Sequence, residues 1–172
     1  MKKNHLLVLG FLLCSIFITG CTQQTQPPSR EYTNGLYSFS LDPPTGWQQI
    51  PDLDPSIAVQ FSPSNTSEVS LYIAVPFTLS EGRSLSTFAD QTEENLIASG
   101  VEFTILHRDW GINSQLPTYE LAYSYDQNGT TKYVKQVALL RTRTVFLITF
   151  TAPESLVDQY LPVVNQSIET FQ

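Results

Sequence analysis

Apolar and polar residues alternate in three segments between residues 37 and 75 of this chain. Alternation with a period of two is typical of a β-strand that turns one face toward a core and the other toward solvent. The apolar positions are Tyr37, Phe39 and Leu41, then Ile57, Val59 and Phe61, then Val69, Leu71, Ile73 and Val75. The pattern predicts three strands, with a turn at residues 43–47 between the first two.

The apolar spacing changes between residues 84 and 99, where it matches one face of an α-helix. The positions on this face are Leu85, Phe88, Thr92 and Leu96. Ser84 can cap the start of such a helix, and Gly100 can end it. We expect an amphipathic helix of about four turns, with Glu93 and Glu94 facing solvent.

Alternation returns after Gly100 and predicts strands at residues 101–105, 119–125 and 132–141. Asn128 and Gly129 separate the last two, and Asn-Gly favours a type I′ hairpin turn because both residues accept positive φ. Residues 144–151 are apolar on both faces. That strand should therefore lie inside the sheet, covered on each side.

The last segment predicts a second helix. Pro153 suits its first turn, and Pro162 should kink or split it. The apolar stripe is Leu156, Tyr160, Val164, Ile168 and Phe171. Strands, helix, strands and helix at hairpin spacings predict an α+β fold, with a central, largely antiparallel sheet of about six or seven strands and two main helices packed on it.

The N-terminal segment carries an export pattern. Lys2 and Lys3 precede an apolar run that begins at Leu6 and ends in the letters ITGC at residues 18–21. A basic start, a run short for a membrane span and small residues before the cut are the parts of a secretory signal. Because a cysteine directly after the cut can carry a diacylglyceryl thioether, the sequence predicts lipidation of Cys21. A plain signal peptide or a signal anchor is the alternative.

Three regions follow from this interpretation: a signal peptide (1–20), a lipidated cysteine with a polar flexible linker (21–34), and one domain (35–172). Loss of Lys2 and Lys3 changes the net charge from −7 to near −9. That sign disfavours nucleic acid and anionic lipid headgroups, so the predicted membrane contact depends on the lipid. Cys14 leaves with the signal, and lipidation consumes the thiol of Cys21, which excludes disulfides and a catalytic thiol.

Several short motifs resemble PsbP-like domains from about Tyr32 to the C-terminus. They are the opening LYSFSLDPPTGWQQI, a helix starting near residue 84, the hairpin at residues 128–129, the strand VFLITFTAP, and a last helix ending in Ile168 and Phe171. The resemblance implies a central antiparallel sheet with helices on its faces. It also implies a mostly non-catalytic family of extrinsic subunits and small exported lipoproteins that dock on membrane-bound partners. It offers no shared catalytic motif to place on this chain.

His107 is the one histidine after the predicted signal, and Asp109 shares its strand face. Two residues at this spacing do not form the orienting hydrogen bond of a triad, and the chain has no GxSxG motif. A metal site with a single histidine and no free cysteine would need carboxylates from several places. We therefore expect no enzyme, no metal and no cofactor.

Trp47 and the acidic pair Asp52 and Asp54 are the candidate ligand-binding residues. The two aspartates in PDLDP supply too few oxygens for calcium, and a solvated turn explains them. Trp47 either anchors the turn in the core or lines a groove with the loop at residues 51–55.

Aromatic and basic residues concentrate around the hairpin at residues 128–129. The candidate partner-binding residues are Tyr123, Tyr125, Tyr133, Lys132, Lys135 and Arg141. Cross-strand aromatic pairing explains the tyrosines without a ligand. A protein interface is the sharper alternative, because tyrosine is enriched there and the basic residues, with Arg143, would form one stripe on an acidic protein.

Two functional hypotheses remain. The first is a non-enzymatic lipoprotein on the extracytoplasmic face of the cell membrane, which binds or helps assemble a membrane-associated envelope partner. The second is a lipoprotein that binds a small ligand or a metal ion. Asn65, Asn128 and Asn165 each begin an N-x-[ST] triplet that a glycosylating host could modify.

Overall fold

The computed structural model describes residues 31–51 and 54–172. The predicted signal peptide, Cys21 and Asp52 lie outside the described residues. The strands are β1 (Tyr32–Asn34), β2 (Phe39–Leu41), β3 (Trp47–Gln49), β4 (Ile57–Pro63), β5 (Ser70–Ala74), β6 (Phe77–Thr78), β7 (Phe103–Asn113), β8 (Leu116–Gln127), β9 (Thr130–Arg141) and β10 (Thr144–Pro153). The helices are α1 (Leu85–Ala98) and α2 (Val157–Glu169), and a 3₁₀ turn (Glu154–Leu156) precedes α2.

The main sheet has eight strands in the order β3-β4-β5-β10-β9-β8-β7, with β6 pairing with β10. Its pairings are antiparallel, and β10 lies between β9 on one side and β5 and β6 on the other. The predicted α+β sandwich is therefore confirmed, as is the interior position of residues 144–151. The short strands β3 and β6 were not predicted, and β1 falls in the segment assigned to the linker.

The larger core lies between the sheet and α2. The buried stripe of α2 is Tyr160, Val164 and Ile168, as its spacing predicted. The strands contribute Val59, Phe61, Leu71, Ile73, Val137, Leu139, Phe146, Ile148 and Phe150. The β1–β2 hairpin closes one end of this core, because Ser40 of β2 exchanges two backbone hydrogen bonds with Gln172, at 2.9 and 3.0 Å.

A smaller core lies between the opposite face and α1, built from Leu79, Leu85, Ala89, Tyr119, Leu121, Ala138 and Val145. Ser84 begins α1 as predicted: its hydroxyl accepts the Thr87 N–H, while the Thr87 hydroxyl accepts the Ser84 N–H. Gly100 follows the helix with φ of +72°. Each helix therefore covers its own face of the sheet.

The prediction for the hairpin turn is confirmed, whereas one prediction for Pro162 in α2 is not. Asn128 and Gly129 have φ of 52° and 77°, as a type I′ hairpin requires. The predicted split at Pro162 is wrong, because α2 runs through it without a break. Pro162 and Asp158, whose carbonyl lacks its helical N–H partner, are both exposed, so water can replace the missing donor.

No helix in residues 31–51 and 54–172 is both long and apolar enough to cross a membrane.

Candidate functional site

The six candidate partner-binding residues lie on two opposite faces of the sheet. Those on the α1 side are Tyr123, Tyr125 and Lys132, and those on the α2 side are Tyr133, Lys135 and Arg141. The prediction of one basic stripe is therefore wrong. Lys132 and Lys135 are three positions apart on β9, and side chains alternate between faces along a strand.

Lys135 is engaged inside the fold, with 9% of its surface exposed. Its Nζ lies 2.9 Å from Oε1 of Glu120 on β8 and donates to Oδ1 of Asn165 on α2 at 2.9 Å. A buried ammonium is stable when it has such partners. Lys135 therefore ties α2 to the sheet and is not free to bind a partner.

Arg141 also has a structural role. Its guanidinium carbon lies 4.7 Å from the centre of the Phe146 ring, and its Nη1 donates to the Ser38 carbonyl at 2.6 Å. Tyr133 lies against Phe150, with ring centres 6.1 Å apart. Burial, followed by the charge of Glu120, raises the pKa of Tyr133. These contacts explain both residues without a partner.

The α1 side carries a partly exposed surface near the hairpin at residues 128–129, which we name the tyrosine face. It comprises Tyr72, Tyr123, Tyr125, Lys132 and Gln136, all half-buried. Tyr125 lies directly opposite Lys132 in the strand register, and its ring lies 6.4 Å from that of Tyr123. Phenol groups and one ammonium thus share one sheet face beside the hairpin turn.

Thr149 lies beneath the tyrosine face, between Tyr72 and Gln136 in the register. It is 1% exposed, and its hydroxyl has no hydrogen-bond partner among the described residues. Burial, followed by the charges of Tyr72 and Tyr125, raises the pKa of Tyr123 to about 12. The tyrosine face is therefore partly desolvated even without a partner.

Glu93 links α1 to the sheet, so the prediction that Glu93 faces solvent is wrong. Its carboxylate accepts from Nε and Nη2 of Arg108 at 2.9 and 2.7 Å, and from the Tyr119 hydroxyl at 2.5 Å. The hydrogen bonds from Arg108 lower the pKa of Glu93. Burial, followed by the hydrogen bond to Glu93, raises the pKa of Tyr119 to about 12.

Tyr119 and Tyr123 should therefore ionise late in an alkaline titration followed by tyrosinate absorbance, with circular dichroism of the same samples reporting the fold. Tyr119→Phe and Tyr123→Phe should each remove one late phenol. Since both folded pKa values lie above the unfolded value near 10, their contribution to stability is complete below about pH 10 and is lost as the pH rises toward 12. A late phase unchanged by either substitution would contradict the assignment.

The two ligand-binding candidates that the structure describes, Trp47 and Asp54, do not converge on a cavity. Trp47 packs edge-on against Tyr160, with ring centres 5.7 Å apart. Asp54 is exposed, and its carboxylate accepts from both the N–H and the hydroxyl of Ser56, which lowers the pKa of Asp54. A cavity of about 580 Å³ opens elsewhere, between the β1–β2 hairpin and the turn at Ser114. Neither Trp47 nor Asp54 lines it.

His107 lies beside Glu120, its Nε2 4.0 Å from Oε1 of that residue. Asp109 accepts instead from the backbone N–H of Trp110 at 2.8 Å. In the part of the chain that the structure describes, no group of three or more His, Cys, Asp or Glu side chains could hold a metal ion.

Sequence reasoning missed one surface, the edge of the sheet that β7 forms within residues 31–51 and 54–172. This strand is last in the sheet order, and Trp110 and Ile112 on it are 52% and 78% exposed. The letters TILHRDWGIN show apolar residues but not which strand lies at an edge. Strand order depends on contacts distant in sequence, so no local pattern could have revealed this surface.

Comparison with solved structures finds the same fold in proteins of low sequence identity. CyanoP, the cyanobacterial PsbP of Synechocystis sp., is 11% identical over 90% of this chain and 98% of its own, with a TM-score of 0.63. LpqN of Mycobacterium tuberculosis, described as involved in cell envelope biogenesis, is 14% identical over 83% and 88%, with a TM-score of 0.64. The Saccharomyces cerevisiae Ran-binding protein Mog1p is 10% identical over 83% and 94%, with a TM-score of 0.59.

At these identities the likeness shows the fold alone, and the predicted PsbP-like fold is confirmed. No curated protein matches the sequence. The DcrB family, in contrast, matches residues 40–170, which span nearly the whole described domain. This chain therefore belongs to the DcrB family.

Proposed function

We propose that this protein is a non-enzymatic lipoprotein, held at the extracytoplasmic face of the cell membrane through Cys21, which binds or helps assemble a membrane-associated protein partner. The ITGC pattern supports the anchor. Among proteins with the same fold, Mog1p is described as Ran-binding and LpqN as involved in cell envelope biogenesis. The first description supports protein binding as the role of this chain, and the second supports a place in the cell envelope.

The tyrosine face is the observation that carries the proposal. Tyrosine offers a large apolar ring and a hydroxyl at small entropic loss, which is why it is enriched in interface cores. Lys132 has no ion-pair partner among the described residues, unlike Arg108 and Lys135. The partner surface should therefore combine an apolar patch with a carboxylate or carbonyl opposite Lys132.

Affinity purification after cross-linking in the native envelope, followed by mass spectrometry, tests this function. A Tyr125→Ser, Lys132→Glu variant should recover roughly tenfold less partner than the wild type, because interface anchors of this type contribute strongly. Arg83→Glu is the matched control, since it makes the same charge change at an exposed residue outside the tyrosine face. The same partners at equal yield from all three proteins would disprove the assignment.

The small-ligand alternative has weaker support. Trp47 packs against α2, and the carboxylate of Asp54 is already bonded to Ser56. Neither side chain is directed into the cavity near Ser114.

A further inference from the structure

The backbone of β7 has regularly spaced hydrogen-bonding groups that pair with no other strand of the described part of the chain. A two-residue turn joins β7 to β8, and its residues Ser114 and Gln115 have φ of 47° and 71°, as in a type I′ turn. The residues flanking such a turn, Asn113 and Leu116, form a hydrogen-bonded pair, and hydrogen-bonded pairs then alternate along the ladder. The N–H and C=O groups of Arg108, Trp110 and Ile112 therefore point outward, away from β8.

A side-chain contact agrees with this assignment. The N–H of Trp110 donates to Oδ1 of Asp109 at 2.8 Å, which an inward amide bonded to β8 would not need. Asp109 thus occupies the central free donor of the edge. We call this carboxylate the guard, because it occupies the Trp110 N–H until an incoming carbonyl takes its place.

Apolar side chains line the same edge. Trp110 and Ile112 project on the α1 side, and Leu106 bulges from the strand at the register shift between Ile105 and His107. Proteins normally protect such edges with short strands, lysine or proline. The opposite edge of this sheet follows that rule, since β3 has three residues with Gln48 and Gln49 exposed. The strand β7 has eleven residues and neither lysine nor proline, and its register shift lies between Ile105 and His107, so the pairing from His107 to Asn113 is regular.

The charge of the edge indicates what would bind there. Arg108 is already engaged by Glu93 in a two-point contact. The exposed carboxylates are Glu102, directly before the strand, and Asp109 within it. A second copy of this chain would bring the same two carboxylates and an arginine already engaged by Glu93. A basic segment would complement the edge better.

We propose that the β7 edge binds an extended, basic and apolar segment of a partner protein as an additional strand of the sheet. Backbone groups of the segment bond to those of Arg108, Trp110 and Ile112, which gives affinity. Its apolar side chains pack on Trp110 and Ile112. The Trp110 N–H passes from Asp109 to a carbonyl of the segment, and the freed carboxylate of Asp109 pairs with a lysine or arginine on the opposite face.

Fluorescence anisotropy with the full-length protein in detergent micelles tests this inference. The probes are short labelled peptides in which valine alternates with lysine, with serine or with glutamate. The lysine peptide should bind most tightly. Ile112→Pro, which removes one outward N–H, should weaken it about tenfold or more. Ile112→Thr keeps that N–H, so this variant should lose less affinity for the lysine peptide than Ile112→Pro does.

Asp109→Ala distinguishes a specific effect of the Asp109 carboxylate on peptide binding from a general loss of structure. It should weaken the lysine peptide about fivefold, because an exposed ion pair is lost. It should also strengthen the serine peptide, since the Trp110 N–H no longer has a competing acceptor. Thermal unfolding of each variant verifies the fold. An Asp109→Ala protein that binds both peptides less well would overturn the guard role.

Three other results would overturn the proposal as a whole. The first is equal binding of all three peptides without an effect of Ile112→Pro. The second is a sedimenting dimer that Ile112→Pro abolishes, which would assign the edge to a second copy. The third is flotation of the Cys21→Ser protein with phosphatidylcholine vesicles that a substitution of Ile112 abolishes. That result would assign the edge to a lipid surface. The Tyr125→Ser, Lys132→Glu variant should bind the lysine peptide normally, so failure of one surface is distinguishable from failure of the other.

Discussion

Replacing Cys21 with serine is expected to transfer the protein from the membrane fraction to the soluble envelope fraction. Each buried methylene of a lipid chain contributes about 0.8 kcal/mol, so two acyl chains hold a protein firmly whereas a bare surface does not. The rest of the chain offers little replacement, because its net charge of −7, which the predicted loss of Lys2 and Lys3 would change to near −9, opposes anionic headgroups. Fractionation with a salt wash, together with incorporation of labelled fatty acid, measures both consequences.

Cys14→Ser is the matched control for this experiment. Cys14 lies inside the apolar run and would be removed with the signal, so its substitution should change neither lipid incorporation nor membrane association. Sedimentation of the Cys21→Ser protein with vesicles after the salt wash, or a wild-type protein without incorporated fatty acid, would contradict the lipid anchor.

The parts of the fold that were predicted correctly are those with local causes. The period of two placed β4, β5, β8 and β9, because one strand face meets the core at every second residue, and a run that is apolar on both faces placed β10 inside the sheet. Ser84 predicted the start of α1 through a hydrogen bond within its own first turn. Asn128 and Gly129 predicted their hairpin because positive φ is a property of single residues.

The parts that were missed depend on distant contacts or on very short segments. The three residues of β3 are too few to show a period. Glu93 lies off the apolar stripe of α1, yet the fold brings Arg108 of β7 within 2.7 Å of it, a contact between residues fifteen positions apart. The division of the tyrosines and lysines between two faces is the exception, because it had a local signal. The odd spacing from Lys132 to Lys135 on one strand already places them on opposite faces.

The two proposed surfaces differ in what limits their prediction. The tyrosine face was predicted in part, because Tyr123, Tyr125 and Lys132 flank a hairpin that the sequence specifies locally. The β7 edge became recognisable after the strand order was known. A strand becomes an edge through the position of all the others, and no residue of β7 encodes that position alone.

Phe146→Ala should lower the free energy of unfolding by about 3–5 kcal/mol, a large part of the roughly 5–15 kcal/mol typical of a domain. Phe146 is 2% exposed, and its ring lies 6.0 Å from that of Phe39 and 5.3 Å from that of Phe171. The guanidinium of Arg141 covers the same ring at 4.7 Å. Truncation would leave a cavity where β2, the C-terminal segment and β9 meet, and urea denaturation followed by tryptophan fluorescence would measure the loss.

Phe77→Ala is the matched control, because it removes the same atoms from a ring that is 41% exposed on β6. It should lower the free energy of unfolding by less than about 1 kcal/mol, since less apolar surface is lost from a site that water already reaches. Arg141→Met in the Phe146→Ala background should add less than it does alone, because the ring that the guanidinium covers is gone. Additive effects of these two substitutions would show that Arg141 does not act through the Phe146 ring. Equal effects at Phe146 and Phe77 would show that burial of Phe146 contributes no more than an exposed ring.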